Sequence, residues 1–233
     1  MAAGIERILV PGYDLDSSRA AVTLARAHPG TIQAAVGIHP HYAAGVAAIA
    51  WEELAALAAA AEVVAVGEIG LDFYRNLSPP DAQRAAFGRQ LTLAASLGKP
   101  VLVHDRDAHA EVRAALLAYQ PAVGRERIRG VLHAFSGDAV MASQLAAAGY
   151  LVSFALPVAF RSAAGPREAA RVLPAGSFLV ETDSPWLAPG GAEQRNEPTT
   201  ALRVAAELAR LRGVEPEAIA TEVRVAYARL IGR

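Results

Sequence analysis

Cysteine is absent from the 233 residues, and lysine occurs once, at Lys99. The first absence excludes disulfides, zinc–thiolate centres and cysteine nucleophiles, and it leaves the redox compartment open. The second makes arginine nearly all of the positive charge, which beside the abundant alanine reads as coding bias. Charge of either sign is not in excess. The net charge is −1, whereas a domain that grips nucleic acid by bulk charge is expected to have a pI above about 9. Any nucleic-acid substrate must therefore be held locally, in a cleft. No apolar run reaches the roughly 18 residues that a membrane span needs. Glu6 and Arg7 interrupt the N-terminus too early for a signal peptide. A cytoplasmic, monomeric protein is the expectation, with association through exposed strand edges as the alternative. No row of aromatics for base stacking stands out along the chain.

What is present is a repeat of short apolar runs: Arg7–Pro11, Gln33–Ile38, Val63–Ile69, Pro100–Val103, Gly130–Leu132, Tyr150–Phe154 and Phe178–Val180. They are continuously apolar rather than alternating, which suits strands of a parallel sheet buried on both faces. Helix-patterned segments separate them. One follows the caps at Asp14 and Asp16–Ser18 and reaches about Arg26; others cover about 51–61, a stretch capped by Asp81 and ended by Gly98, and about 108–119. Further helices follow Asp138, lie near 168–172, and fill about 199–211 and 216–231. Strand then helix, repeated, predicts an α/β protein of the TIM (β/α)8 barrel type. Such a barrel takes eight strands in about 250 residues, and seven strands are recognisable here. Without a linker or low-complexity segment, residues 1–233 read as one domain.

Ligand-type residues collect at the strand ends: His39 and His41, Glu68, His104, His133 and Asp183. Imidazoles with carboxylates suit zinc, manganese or magnesium. Two ions about 3.5–4 Å apart need a bridging carboxylate and can clamp both the attacking and the leaving oxygen of a phosphoryl transfer. Glu68, flanked by Gly67 inside an apolar strand, is the bridge candidate, because a buried carboxylate is costly unless paired or metal-bound. Asp183 is placed to take a proton from an attacking water. Each residue alone has a plainer reading: a capped or solvent-facing histidine, or an aspartate starting the turn before Ser184-Pro185. Four ligand types at four strand ends argue for the site. His28 and His109 are read as surface residues. Arg75, Arg106 and Arg195 lie near the expected mouth, where arginines meet phosphates.

These residues stand in motifs that resemble the TatD family of metal-dependent deoxyribonucleases. The motifs are Gly37-Ile-His-Pro-His41, Gly67-Glu-Ile-Gly-Leu-Asp-Phe-Tyr74, Val103-His-Asp-Arg-Asp-Ala108, His133-Ala-Phe-Ser-Gly137, Glu181-Thr-Asp-Ser-Pro185 and Arg195-Asn-Glu-Pro198, in the family's order. The resemblance implies an amidohydrolase-type TIM barrel with up to two divalent ions. It implies that Glu68 bridges them, that His104 and His133 hold one, and that Asp183 binds the other and assists the attacking water. By the same resemblance His39 lines the substrate pocket, and Asn196 and Glu197 brace the last loop beside the substrate. The implied reaction is hydrolysis of phosphodiester bonds in DNA, from the 3′ end of single strands.

The sequence departs from the family pattern at its start. Members begin with a strand that ends in His-x-His, then a helix and a turn; Gly4-Ile-Glu-Arg7 matches that turn, so strand one and its two histidines are expected to be missing. A start codon placed about 25 residues downstream, the length of a strand, a helix and short turns, is the simplest account. For the sequence as given, the expectation is weak or absent occupancy of the first metal site and reduced activity. Smaller departures are the loop Pro189–Gln194, without the usual Arg-Gly, and Ala226 in place of asparagine. Two other readings stay open: the same site acting on another ester, such as an aminoacyl-tRNA or a small phosphoester, and a metal-deficient form without catalysis.

Overall fold

The computed structural model describes residues 4–119, 127–190 and 194–232. The seven expected strands are found: β1 (Ile8–Pro11), β2 (Ile32–Val36), β3 (Val63–Asp72), β4 (Val101–Arg106), β5 (Gly130–Leu132), β6 (Tyr150–Phe154) and β7 (Phe178–Val180). Their hydrogen-bonded order is the chain order, and the pairs β1–β2, β2–β3, β3–β4 and β6–β7 are parallel. The helices between them are α1 (Leu15–Ala27), α2 (Ala48–Ala58), α3 (Pro80–Leu97), α4 (His109–Ala118), α5 (Ala139–Ala147) and α6 (Ala164–Val172), with α7 (Ala201–Arg212) and α8 (Pro216–Leu230) after β7. The α/β class follows from this order. Part of the departing loop, residues 191–193, lies outside the described residues. Among the described residues no helix is long and apolar enough to cross a membrane.

The chain packs as two compact units, Glu6–Val131 and Leu132–Arg233 with Met1–Ile5. In the first, Ala34, Ala35 and Val36 of β2 are wholly buried, as a strand covered on both faces must be. α1 starts in a capping box: the Ser17 amide donates to Asp14 Oδ1 at 2.7 Å, and the Asp14 amide to Ser17 Oγ at 2.9 Å. It buries Ser18, Ala21, Val22 and Ala25, the spacing of one helix face. α3 differs from expectation at its start. Pro80, whose fixed φ and missing N–H suit the first helical position, begins the helix, so Pro79 is the cap and Asp81 lies in the first turn. Gly98 closes the helix at φ 60°. Lys99 reaches back from there, its Nζ donating to the carbonyls of Ala58 and Ala60 at the end of α2.

β3 and β4 run further than expected, to Asp72 and Arg106. Gly70 pairs with His104, Leu71 with Asp105 and Asp72 with Arg106. His104 therefore lies within β4 rather than just past it, as Glu68 lies within β3. The register shifts between Val66 and Ile69, around Glu68, a local irregularity of the kind that re-aims side chains beside functional sites. The glycines make the close approach feasible. Gly70 has φ 135°, and a Cβ there would collide with the His104 carbonyl; one on Gly67 would lie 2.5 Å from Leu102 Cβ.

The second unit has its own core. Tyr150, Phe154, Phe178, Leu145, Leu173 and Leu208 are fully buried. Phe154 contacts Phe135 edge-on at 6.2 Å and Phe178 at 6.3 Å between ring centroids, distances at which aromatic pairs attract. Asp138 caps α5 as expected, accepting from the Met141 amide at 2.8 Å.

Candidate metal centre and active site

In the first unit, β3 and β4 and the turn after β2 bring five ionisable side chains together. His39 Nε2 lies 3.2 Å from Glu68 Oε1, and His104 Nδ1 lies 3.2 Å from the same oxygen. One ligand atom from each of His39, Glu68 and His104 lies within 4.8 Å of the others. Behind them stands Asp72, 1% exposed. Its Oδ2 lies 2.8 Å from His41 Nε2 and 3.2 Å from His104 Nε2. Its Oδ1 accepts from the backbone amides of Tyr74 at 3.0 Å and Arg75 at 2.7 Å.

Burial alone would raise the Asp72 pKa. Hydrogen bonds from His104, from the Arg75 amide and from His41 outweigh it and hold the carboxyl well below the ordinary carboxylate range. Burial lowers the pKa of His39, against the hydrogen bond and charge of Glu68 that favour the imidazolium. A neutral imidazole is the form that can coordinate a metal. The donor set, two imidazoles around one carboxylate, suits a divalent ion such as zinc or manganese.

Two buried glutamines of α3 fix the strand ends that carry these groups. Gln90 takes the Ile38 amide on Oε1 at 2.7 Å and donates Nε2 to the Ile38 carbonyl at 3.0 Å. Gln83, one heptad earlier, does the same for Asp72 at 2.8 and 3.1 Å. Each carboxamide continues the backbone ladder where no strand partner is available.

In the second unit, His133 follows β5 and its Nδ1 lies 3.3 Å from Glu181 Oε1, which also accepts from the Ala134 amide at 2.9 Å. Asp183 follows β7, half-buried, with φ 58°. Its loop is held by Asn196, 2% exposed, whose Nδ2 donates to the carbonyls of Thr182 (2.7 Å), Trp186 (2.7 Å) and Leu187 (3.2 Å). Asn196 Oδ1 accepts from the Glu197 amide at 2.9 Å.

Of the residues expected at the site, Glu68, His104 and His39 are thus brought together, His39 beside the carboxylate. His133 and Asp183 lie at strand ends of the second unit. Asn196 is committed to the loop backbone, while Glu197 and Arg195 are exposed. Arg106 is exposed, its guanidinium 4.1 Å over the Tyr74 ring. His109, read as a surface residue, has its side chain 41% exposed and is also tied to buried Asp105 at 2.8 Å. Sequence reading gave no role to Asp72, Glu181, Gln83 or Gln90. The i, i+7 spacing of the glutamines on α3 is the one signal that pointed to a shared buried face. Two exposed tyrosines also meet: Tyr13 and Tyr42 stack with centroids 5.6 Å apart, beside His39, whose amide donates to the Tyr13 carbonyl at 2.8 Å.

Imidazoles and carboxylates gathered on and after parallel strands are the donor set that metal-dependent hydrolases use. The chain belongs to the TatD related DNase family, whose model matches residues 1–232. It is 38% identical over 223 residues to the 3′-5′ ssDNA/RNA exonuclease TatD of Erwinia billingiae, covering 93% of this chain and 84% of that protein. It is 34% identical to the uncharacterized metal-dependent hydrolase YabD of Bacillus subtilis, over 94% and 85% of the two chains. The crystal structure of YJJV, a TatD homolog from Escherichia coli K12, superposes with a TM-score of 0.90 at 30% identity, over 99% of this chain and 88% of that one. The protein is accordingly an enzyme, a hydrolase acting on ester bonds.

Proposed function

We propose that the protein, as one catalytic domain over residues 1–233, removes nucleotides from the 3′ end of single-stranded DNA by hydrolysing phosphodiester bonds. The His39–Glu68–His104 cluster, His39 buried and the other two half-buried, carries this reading, together with the family that the chain belongs to. By the family resemblance, Glu68, His104, His133 and Asp183 would hold up to two divalent ions, with His39 beside the Glu68 carboxylate. When bound, such ions supply Lewis-acid polarisation of the phosphate and a nucleophilic water near neutral pH. Asp183 takes the proton of the attacking water. Arg106, exposed beside the cluster, meets a substrate phosphate. The Tyr13–Tyr42 stack and the Tyr74 ring under Arg106 offer flat faces to unpaired bases, and Glu197 stands at the rim. The Erwinia relative is named for action on both ssDNA and RNA.

The test is a single-stranded DNA labelled at its 5′ end, incubated with Mg²⁺, Mn²⁺ or Zn²⁺. Stepwise shortening from the 3′ end by the parent and none by Glu68→Ala is the expected result. Hydrolysis of an aminoacyl or small phosphate ester without shortening of DNA replaces this reading by the other-ester one.

A further inference from the structure

We infer that Asp72 is a positioning residue for the metal: it holds His104 in the tautomer that presents the Nδ1 lone pair beside Glu68, and clamps His41 with the same oxygen. The inference rests on the reading of Glu68 and His104 as metal ligands.

The geometry is over-determined. Oδ1 of Asp72 faces two backbone N–H groups, of Tyr74 and Arg75, which can only donate. Oδ2 faces two ring nitrogens, Nε2 of His41 and Nε2 of His104. A carboxylate only accepts, so both rings must carry their proton on Nε2. With Nε2 protonated, a neutral, metal-binding His104 presents its lone pair on Nδ1, the atom 3.2 Å from Glu68 Oε1. Asp72 cannot swing away, because Gln83 holds its own amide and carbonyl. A carboxylate on the far nitrogen of a ligating histidine fixes the tautomer and ring orientation and raises ligand basicity; losing it typically costs about 10–100-fold in metal affinity. The second hydrogen bond extends the effect to His41, whose ring lies edge-on to that of His39 at 4.3 Å between centroids. One carboxylate thus orients the β4 ligand and steadies the 39–42 turn that carries His39.

Asparagine separates positioning from packing. In Asp72→Asn the carbonyl oxygen stays with the two backbone donors, so the NH₂ group faces both histidines. His104 must then accept on Nε2 and carry its proton on Nδ1, where it blocks the metal. Asp72→Ala leaves room for water and leaves the tautomer free. Titration of the metal-free protein with Mn²⁺ is expected to show affinity falling about 10–100-fold in Asp72→Asn, and less in Asp72→Ala. A purely structural role gives the opposite order, since asparagine is the better steric match. Asparagine binding within twofold of the parent, or more tightly than alanine, overturns the inference. A second readout needs no metal and no variant of Asp72. In the metal-free parent at pH 8, ¹⁵N–¹H spectra of the histidine rings, with His104 assigned by loss of its signal in His104→Gln, must show Nε2 protonated, whether or not Nδ1 also carries a proton toward Glu68; a bare Nε2 overturns the inference. A parent that binds no Mn²⁺ would defeat the proposed function, while the ring spectra would still decide the tautomer.

Discussion

The two compact units hold their chemistry by different means. In Glu6–Val131 the ligand candidates are on or beside strands, and side chains hold side chains: Glu68 between His39 and His104, Asp72 behind His104 and His41. In Leu132–Arg233 His133 pairs with Glu181, but Asp183 is on a loop that the buried amide of Asn196 holds by its backbone. The lesson concerns robustness. A buried side-chain cluster is rigid but fails sharply when one partner is removed and the others stay unpaired. A loop tied by one asparagine can loosen without disturbing the donors elsewhere.

Four substitutions, the last compared with the parent at two pH values, test that contrast. Glu68→Ala is expected to have the largest effect. Removing the carboxylate shared by two imidazoles should lower Mn²⁺ affinity and DNA shortening by more than about 100-fold, beyond the 10–100-fold range of an outer-shell change; calorimetric titration and the 3′-shortening assay read it. Affinity preserved in that variant would remove the cluster as the metal centre. Asn196→Ala comes next. It strips hydrogen bonds from three carbonyls, at about 1–3 kcal/mol for a buried group left unsatisfied, or roughly 2–4 °C in Tm per kcal/mol for a chain of this size. Its kcat should fall while Mn²⁺ affinity at the Glu68 cluster stays within twofold; parallel losses would mean that the two units are not separable in this way.

Arg106→Ala should weaken DNA binding modestly and reduce the slope of log affinity against log salt by about 1, the signature of one phosphate contact. An unchanged slope would confine Arg106 to its stacking on Tyr74. The smallest effect is on pH dependence. His39, facing Glu68, His104 and His41, has a folded-state pKa lowered mainly by burial, while the unfolded value is about 6.5. The unfolded chain therefore takes up the proton more readily, and stability is lost as pH falls through that value. Urea midpoints of the metal-free protein at pH 7.5 and 5.5 should show a larger loss for the parent than for His39→Gln.

Much of this was legible in the residues. β5, β6 and β7 have the bounds that their apolar runs predicted, because these short strands contain no charged residue to blur the ends. The ends of β3 and β4 were not legible. The apolar runs stopped at Ile69 and Val103, yet Gly70, Asp72 and Asp105 are strand residues because the two backbones pair there and each carboxylate finds donors. The role of Asp72 was hidden for the same reason. Its partners lie 31 and 32 residues away, at His41 and His104, and no local pattern announces them. The stack of Tyr13 on Tyr42 was equally invisible, since its members are far apart in the chain.

The sequence by itself determined the alternation of strand and helix, the class of donor at each strand end and the family, because these follow from local hydrophobic patterning and from motifs in fixed order. Only the tertiary structure decided which donors share an atom and which nitrogen of each histidine faces which carboxylate. Those are matters of register and ring orientation, set by parallel pairing at Gly70–His104 and by the shift around Glu68, and register is a property of two strands rather than of one segment.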